Sequence, residues 1–202
     1  LAISRDKDGL ATQLAAAQWA IDTGKLDLVK SCAATARAID PEAIQVLLLE
    51  GFLARQEGQF AGAVTSFEKA LQKSPNSPVV LNQLAICLAE QGTPESLQKA
   101  MQYTQLLMNV SGDRNRAAGR EALLTSAWVL HLSDRNADAM RQVQGALSAG
   151  GVSPDSAYFA AKILSENDKK DAAKQLMSSA LESGDRIFPN RANAKALLQE
   201  LQ

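Results

Sequence analysis

The sequence predicts an all-α chain, built as a stack of five helix pairs and finished by one further helix. Composition, a repeated 34-residue spacing and the placement of prolines carry that prediction. Alanine, leucine and glutamine fill much of the 202-residue chain, and aromatics make up only 4% of it. These abundant residues are good helix formers, and runs of β-branched residues, which would favour strands, are few.

The spacing is clearest from Ile44 to Ser77. A helical pattern ends near Glu57, Gly58 marks a turn, a second pattern runs from Phe60 to Lys73, and Pro75 follows. A shift of 34 places Gly24 on Gly58, Pro41 on Pro75, Leu26 on Phe60 and Ala36 on Ala70. It also places Ala17 on Gly51 and Ala33 on Phe67. The C-terminal half repeats with the same period: Ala127 falls on Ala161, Leu130 on Leu164, Asp134 on Asp168, Ala139 on Ala173 and Ala146 on Ala180.

A stretched repeat lies between these runs. Leu81, Leu84, Ala85 and Leu88 keep the pattern of a first helix after Pro78. The turn Gly92-Thr93-Pro94-Glu95 reads as longer than its equivalents, so that Ala100 takes the small-residue place about three positions late. Asn109 to Arg116 reads as added loop, with the fourth repeat beginning near Arg120.

In Asp40-Pro41, Ser77-Pro78, Thr93-Pro94 and Ser153-Pro154 a capping side chain directly precedes proline. Proline at the first helical position lacks only a donor that would be unpaired anyway, so these pairs predict helix starts.

From Leu47 to Pro75 the chain resembles a tetratricopeptide repeat, with Leu47, Gly51, Ala63, Phe67, Ala70 and Pro75 at the signature places of that family. Glu50 and Ala54 depart from it, where a leucine and an aromatic are usual. The other repeats match mainly through small residues, over roughly residues 10–187. Ser126 to Leu164 and the ending Phe188 to Leu201 also resemble the C-terminal part of long bacterial repeat proteins.

The resemblance implies a right-handed α-α superhelix forming one domain. Its repeats fall at about 10–43, 44–77, 78–119, 120–153 and 154–187, with a capping helix at 188–202. Neither helix of a pair can bury its apolar stripe alone, so neighbours must stack. The capping helix is amphipathic through Ala194, Leu197, Leu198 and Leu201, as expected of a segment that covers the apolar end of the fifth repeat.

In this family the first helix of each pair lines a concave face. Residues at i, i+4 and i+7 share a helix face. The predicted stripes are therefore Leu14, Gln18, Ile21; Leu48, Phe52, Arg55; Asn82, Ile86, Ala89; Leu124, Trp128, His131; and Tyr158, Lys162, Ser165. Leu48, Phe52, Arg55, Asn82, Ile86, Leu124, Trp128, His131, Tyr158 and Lys162 are the candidate peptide-binding residues. Leu48 and Leu124 would be half buried, whereas exposed Phe52, Trp128 and Tyr158 would mark an interaction surface. Chaperone-binding relatives clamp a C-terminal carboxylate with cations. The matching places here hold Leu48, Phe52, Gln83, Glu121 and Thr125, or Asn82, Ile86, Thr125, Asp155 and Phe159, and neither set supplies one.

Other classes find little support. With 21 Lys+Arg against 22 Asp+Glu and no basic stretch, a nucleic-acid partner is not indicated. Uncharged windows are too short or too polar to span a bilayer, so no direct membrane insertion is expected of this segment. Cys32, Cys87 and the single histidine, His131, cannot make up the roughly four ligands of a zinc site. The cysteines read as small buried hydrophobes, which suit a reducing compartment without establishing one; cytoplasm and periplasm both stay open. No glycine-rich phosphate loop or Gly-x-Ser-x-Gly motif accompanies His131, so neither a cofactor nor catalysis is expected. Lacking an initial methionine and a signal-peptide pattern, the chain reads as a fragment or a processed product.

The expected function is a scaffold that takes a peptide or helix of a partner protein in an apolar concave groove. An accessory helical domain of a larger enzyme or of an envelope assembly is the alternative. A third possibility is a spacer whose groove is filled by the chain's own flanking segment.

Overall fold

The computed structural model describes residues 9–113, 115–182 and 184–202. Helices α1 (Leu10–Asp22) and α2 (Leu26–Ile39) form the first pair, α3 (Ile44–Gln56) and α4 (Phe60–Lys73) the second, and α5 (Pro78–Glu90) and α6 (Pro94–Ser111) the third. Then come α7 (Ala117–Leu132) with α8 (Asn136–Ser148), α9 (Pro154–Glu166) with α10 (Lys170–Leu181), and the single α11 (Arg191–Glu200). The described residues contain helices and no strand.

Within each pair the helices join through a three-residue turn, at 23–25, 57–59, 91–93, 133–135 and 167–169. Its middle residue always has a positive φ, supplied by Gly24, Gly58 and Gly92 and then by Asp134 and Asp168 at 59°. Glycine has no Cβ to clash in this left-handed conformation, and aspartate is among the few residues that tolerate it. In four of the five turns the residue after it donates back to the first helix, as Gln59 N does to the Ala54 carbonyl at 2.8 Å and Lys169 N to Leu164 at 2.9 Å. These bonds satisfy carbonyls that the helix end would leave open.

Small residues sit where backbones approach. Ala17, Gly51, Ala85, Ala127 and Ala161 are buried at one place of the five first helices, and Val29, Ala63, Ala100, Ala139 and Ala173 at one place of the second helices. Helix α4 packs on α5 and α6 on α7, while α5, α7 and α9 also pack in a row. Helix α11 lies on α10 and α9 and buries Ala194 and Leu197.

The third repeat keeps its predicted register for a different reason. Its turn is no longer than the others; the extra residues are taken up within α6, which runs for 18 residues. Thr93 and Ser96 form a capping box at the start of that helix, with Pro94 at the first helical position. Ala100, Thr104 and Leu107 then repeat the spacing of Ala63, Phe67 and Ala70, three places late. Asn109 to Ser111, expected in a loop, finish the helix, and α7 begins at Ala117 rather than near Arg120. Pro78, Pro94 and Pro154 do open helices. Pro41 does not: the Asp40 carboxylate accepts from Glu42 N in a turn before α3 begins at Ile44.

The two ends of the stack meet. Between α10 and α11 the segment Gly184–Asn190 reaches α1, where Ile187 N donates to the Ile21 carbonyl at 2.8 Å. Ile187 joins the apolar cluster of the first two repeats, while Phe188 joins the cluster of the last two.

Candidate functional site

The predicted stripes lie on the first helices α1, α3, α5, α7 and α9, the side expected to be concave, and combine partly exposed residues with buried ones. A cavity of about 380 Å³ lies between α1, α3 and α5. Leu14, Ile21, Leu48, Phe52 and Val79 give it apolar walls, and Gln18, Gln45 and Gln83 supply amides. Leu48 and Phe52 are partly exposed, and Val79 is 58% exposed.

Toward α7 and α9 the structure corrects the expectation that Trp128 is exposed. Arg55, Ile86, Leu124 and Trp128 are buried, the last at only 5% exposure. Trp128 stacks on Phe159 with ring centroids 4.7 Å apart, and its Nε1–H donates to Glu90 Oε1 at 2.8 Å. It is thus a core aromatic of α7 and α9, whose truncation removes packing, and not an exposed anchor. Tyr158 is partly buried beside it, at 6.1 Å between centroids. Burial pushes the Tyr158 phenol up from its ordinary pKa.

The middle of the concave face is also polar where apolar and aromatic lining was expected. Arg55 Nη1 lies 2.6 Å from Asp155 Oδ2 and donates to Gln83 Oε1 at 3.1 Å. Asp155 also accepts from Asn190, through backbone N at 3.3 Å and side-chain Nδ2 at 3.0 Å. The second, third and fifth pairs and the C-terminal segment thus converge on one guanidinium and one carboxylate. Glu90 lies in the field of both, and burial holds its carboxyl above the usual range against the opposing pull of the Trp128 donor and Arg55. Asn82 accepts from the Thr125 hydroxyl, which ties α5 to α7.

His131 of α7 and Lys162 of α9 share a partner. Both approach Glu166, His131 Nε2 at 3.3 Å and Lys162 Nζ at 2.9 Å. The hydrogen bond to Glu166 is the main cause that raises the Lys162 pKa. Glu121, one of the carboxylate-clamp places, instead accepts from Ser153 N and from the Ser153 and Ser156 hydroxyls at the start of α9.

Asp155 and Glu90 escaped the sequence reading as members of one site with Arg55. Asp155 follows Ser153-Pro154 and reads as a first-turn acid that favours the helix dipole. Nothing in its local pattern points to α3. Cys32 and Cys87 are both buried, and burial pushes the Cys87 thiol up to about 12. Among the described residues no cluster of three His, Cys, Asp or Glu could hold a metal, and no helix is long and apolar enough to cross a membrane.

Residues 54–104 match the family model described as tetratricopeptide repeat. No curated protein matches the chain. Solved structures do: a thermophilic tetratricopeptide protein of Thermus thermophilus aligns at 14% identity over 95% of this chain and all of its own, with a TM-score of 0.71. A tetratricopeptide protein of Parabacteroides merdae aligns at 18% identity over 99% of this chain and 73% of its own, with a TM-score of 0.73. YrrB, described as having an unusual peptide-binding site, aligns at 17% identity over 98% of this chain and 96% of its own, with a TM-score of 0.56. Residues 54–104 thus carry a tetratricopeptide repeat, and the helix pairs around them share the fold of solved tetratricopeptide repeat structures.

Proposed function

We propose that the chain is a non-catalytic scaffold that binds a polypeptide segment of a partner protein in the concave cavity between α1, α3 and α5. The cavity itself carries this reading. It has apolar walls from Leu48, Phe52 and Val79, amide groups from three glutamines, and a volume of about 380 Å³. Apolar walls with a few placed polar groups are the usual make-up of a binding pocket. A carboxamide offers both donors and an acceptor, which matches the mixed donors and acceptors of a peptide backbone. Leu48 and Phe52 of the predicted stripe anchor the segment. Arg55, Asn82, Ile86, Leu124, Trp128, His131, Tyr158 and Lys162 hold the shape of the concave face behind and beside it. The described peptide-binding site of the similarly folded YrrB is in keeping with this use of the fold.

Selection of peptides from a displayed random library on the immobilised full chain tests the proposal. Val79→Asp places a charge at an exposed cavity wall and should leave the melting temperature nearly unchanged. Peptides enriched on the wild type should lose at least about tenfold in affinity on this variant, or ~1.4 kcal/mol. Equal binding to both would move the site elsewhere, and failure to enrich any peptide would sink the proposal.

A further inference from the structure

We infer that the segment Gly184–Phe188 is a built-in competitor for the concave face, resting in a seat that accepts an extended chain with a cation followed by an aliphatic residue. This rests on the reading that the concave face takes polypeptide, and it assigns that face a resident occupant and a chemical preference.

Ile187 and Phe188 enter apolar clusters at opposite ends of the stack, so these neighbouring side chains point to different sides. Ile187 N donates to the Ile21 carbonyl at 2.8 Å, so α1 holds the segment through its backbone. Arg186 Nε stands 3.6 Å from Asp22 Oδ1 and supplies the charged element of the contact. At Gly24 the approach is so close that a Cβ would lie 2.6 Å from the Asp185 carbonyl oxygen. The Ile187 side chain is the deep anchor, at 9% exposure.

The seat and the open cavity are continuous. Ala17, Leu49, Ile21 and Phe52 belong both to the cluster that Ile187 joins and to the cavity wall. An incoming segment of the same chemistry would replace Arg186 and Ile187 and continue along Leu48 toward Val79. The Arg186–Asp22 pair is about half exposed on both sides, so solvent and salt screen it and it resists displacement weakly. Ile187 therefore controls access.

The test uses the full chain and a capped peptide with the sequence Gly-Asp-Arg-Ile-Phe-Pro-Asn, which is that of residues 184–190. Ile187→Ser removes the anchor from the resident segment and leaves the seat intact. The labelled peptide should bind this variant at least tenfold more tightly than the wild type, and a peptide with serine in place of isoleucine should not show the gain. Should Ile187→Ser lose the wild-type helix signal, Arg186→Asp loosens the same segment from its exposed end and is read by the same titration. Equal affinity for wild type and loosened variant, or no binding to either, overturns the inference. If that happens while library-selected peptides still depend on Val79, only the competitor is lost. If library selection also fails, the binding face itself is lost.

Discussion

The turns between paired helices show how one physical demand can be met by different residues. Gly24, Gly58 and Gly92 share their backbone conformation with Asp134 and Asp168, so the period survives although the residue changes. Gly51 was legible from its spacing alone, and the structure gives the reason: a Cβ there would lie 2.5 Å from Phe67 Cζ. Glu90 was not legible, because its importance arises from burial beside Trp128 and Arg55, which lie far away in sequence. Its raised pKa has a definite consequence for stability. The folded chain binds that proton more tightly than the unfolded chain does, so the contribution is fully present below the unfolded value of about 4.3 and is lost as pH rises through the higher folded value. Glu90→Gln keeps an oxygen to accept from Trp128 Nε1 and has no proton to lose. The stability of the wild type relative to this variant should therefore fall as the pH rises above about 4.3, as measured by urea midpoints. A constant difference as pH changes would show that the carboxyl titrates alike in both states.

At the scale of an element, periodicity told more than local punctuation. The repeat pattern puts Ala63, Ala139 and Ala173 at one structural place, the last two 34 residues apart, and all three are fully buried. Proline was less dependable: Asp40-Pro41 has the same form as the three pairs that open helices, yet it makes a turn before α3. The turn at Gly92 was misjudged because Thr93-Pro94-Glu95 reads as loop, whereas capping by Thr93 turns those residues into the start of α6. Leucine at Ala139 or Ala173 should cost about 1–3 kcal/mol through overpacking. At exposed Ala61, on the solvent side of α4, the same substitution should leave stability within about 0.5 kcal/mol. Urea unfolding of the three variants checks the register, and equal stability for all of them would show that the shared place is not a close helix crossing.

The whole molecule departs from a simple repeat stack in how its ends are joined. In a solenoid each repeat normally contacts only its neighbours, so stability spreads along one dimension. That one-dimensional rule is why the sequence carried no sign that the two ends would meet. Here Arg55 of α3 meets Asp155 of α9, and Ile187 meets Ile21. Arg55 has a side chain only 2% exposed, against 16% for Asp155, so losing the carboxylate strands the more deeply buried charge. Asp155→Leu should therefore cost about 3–5 kcal/mol, the usual penalty for a buried charge left without its partner. Arg55→Met should cost less, because Asp155 retains its two donors from Asn190 and some contact with water. The double variant should recover most of the loss, since an apolar pair of similar volume can replace a buried ion pair at little net cost. Urea unfolding of the four proteins gives the coupling energy directly. Additive losses would mean that the two residues act independently and that this contact does not join the second repeat to the fifth. Recovery in the double variant, with a single transition retained, would show instead that closure of the concave face needs packing between α3 and α9 and not the charges themselves.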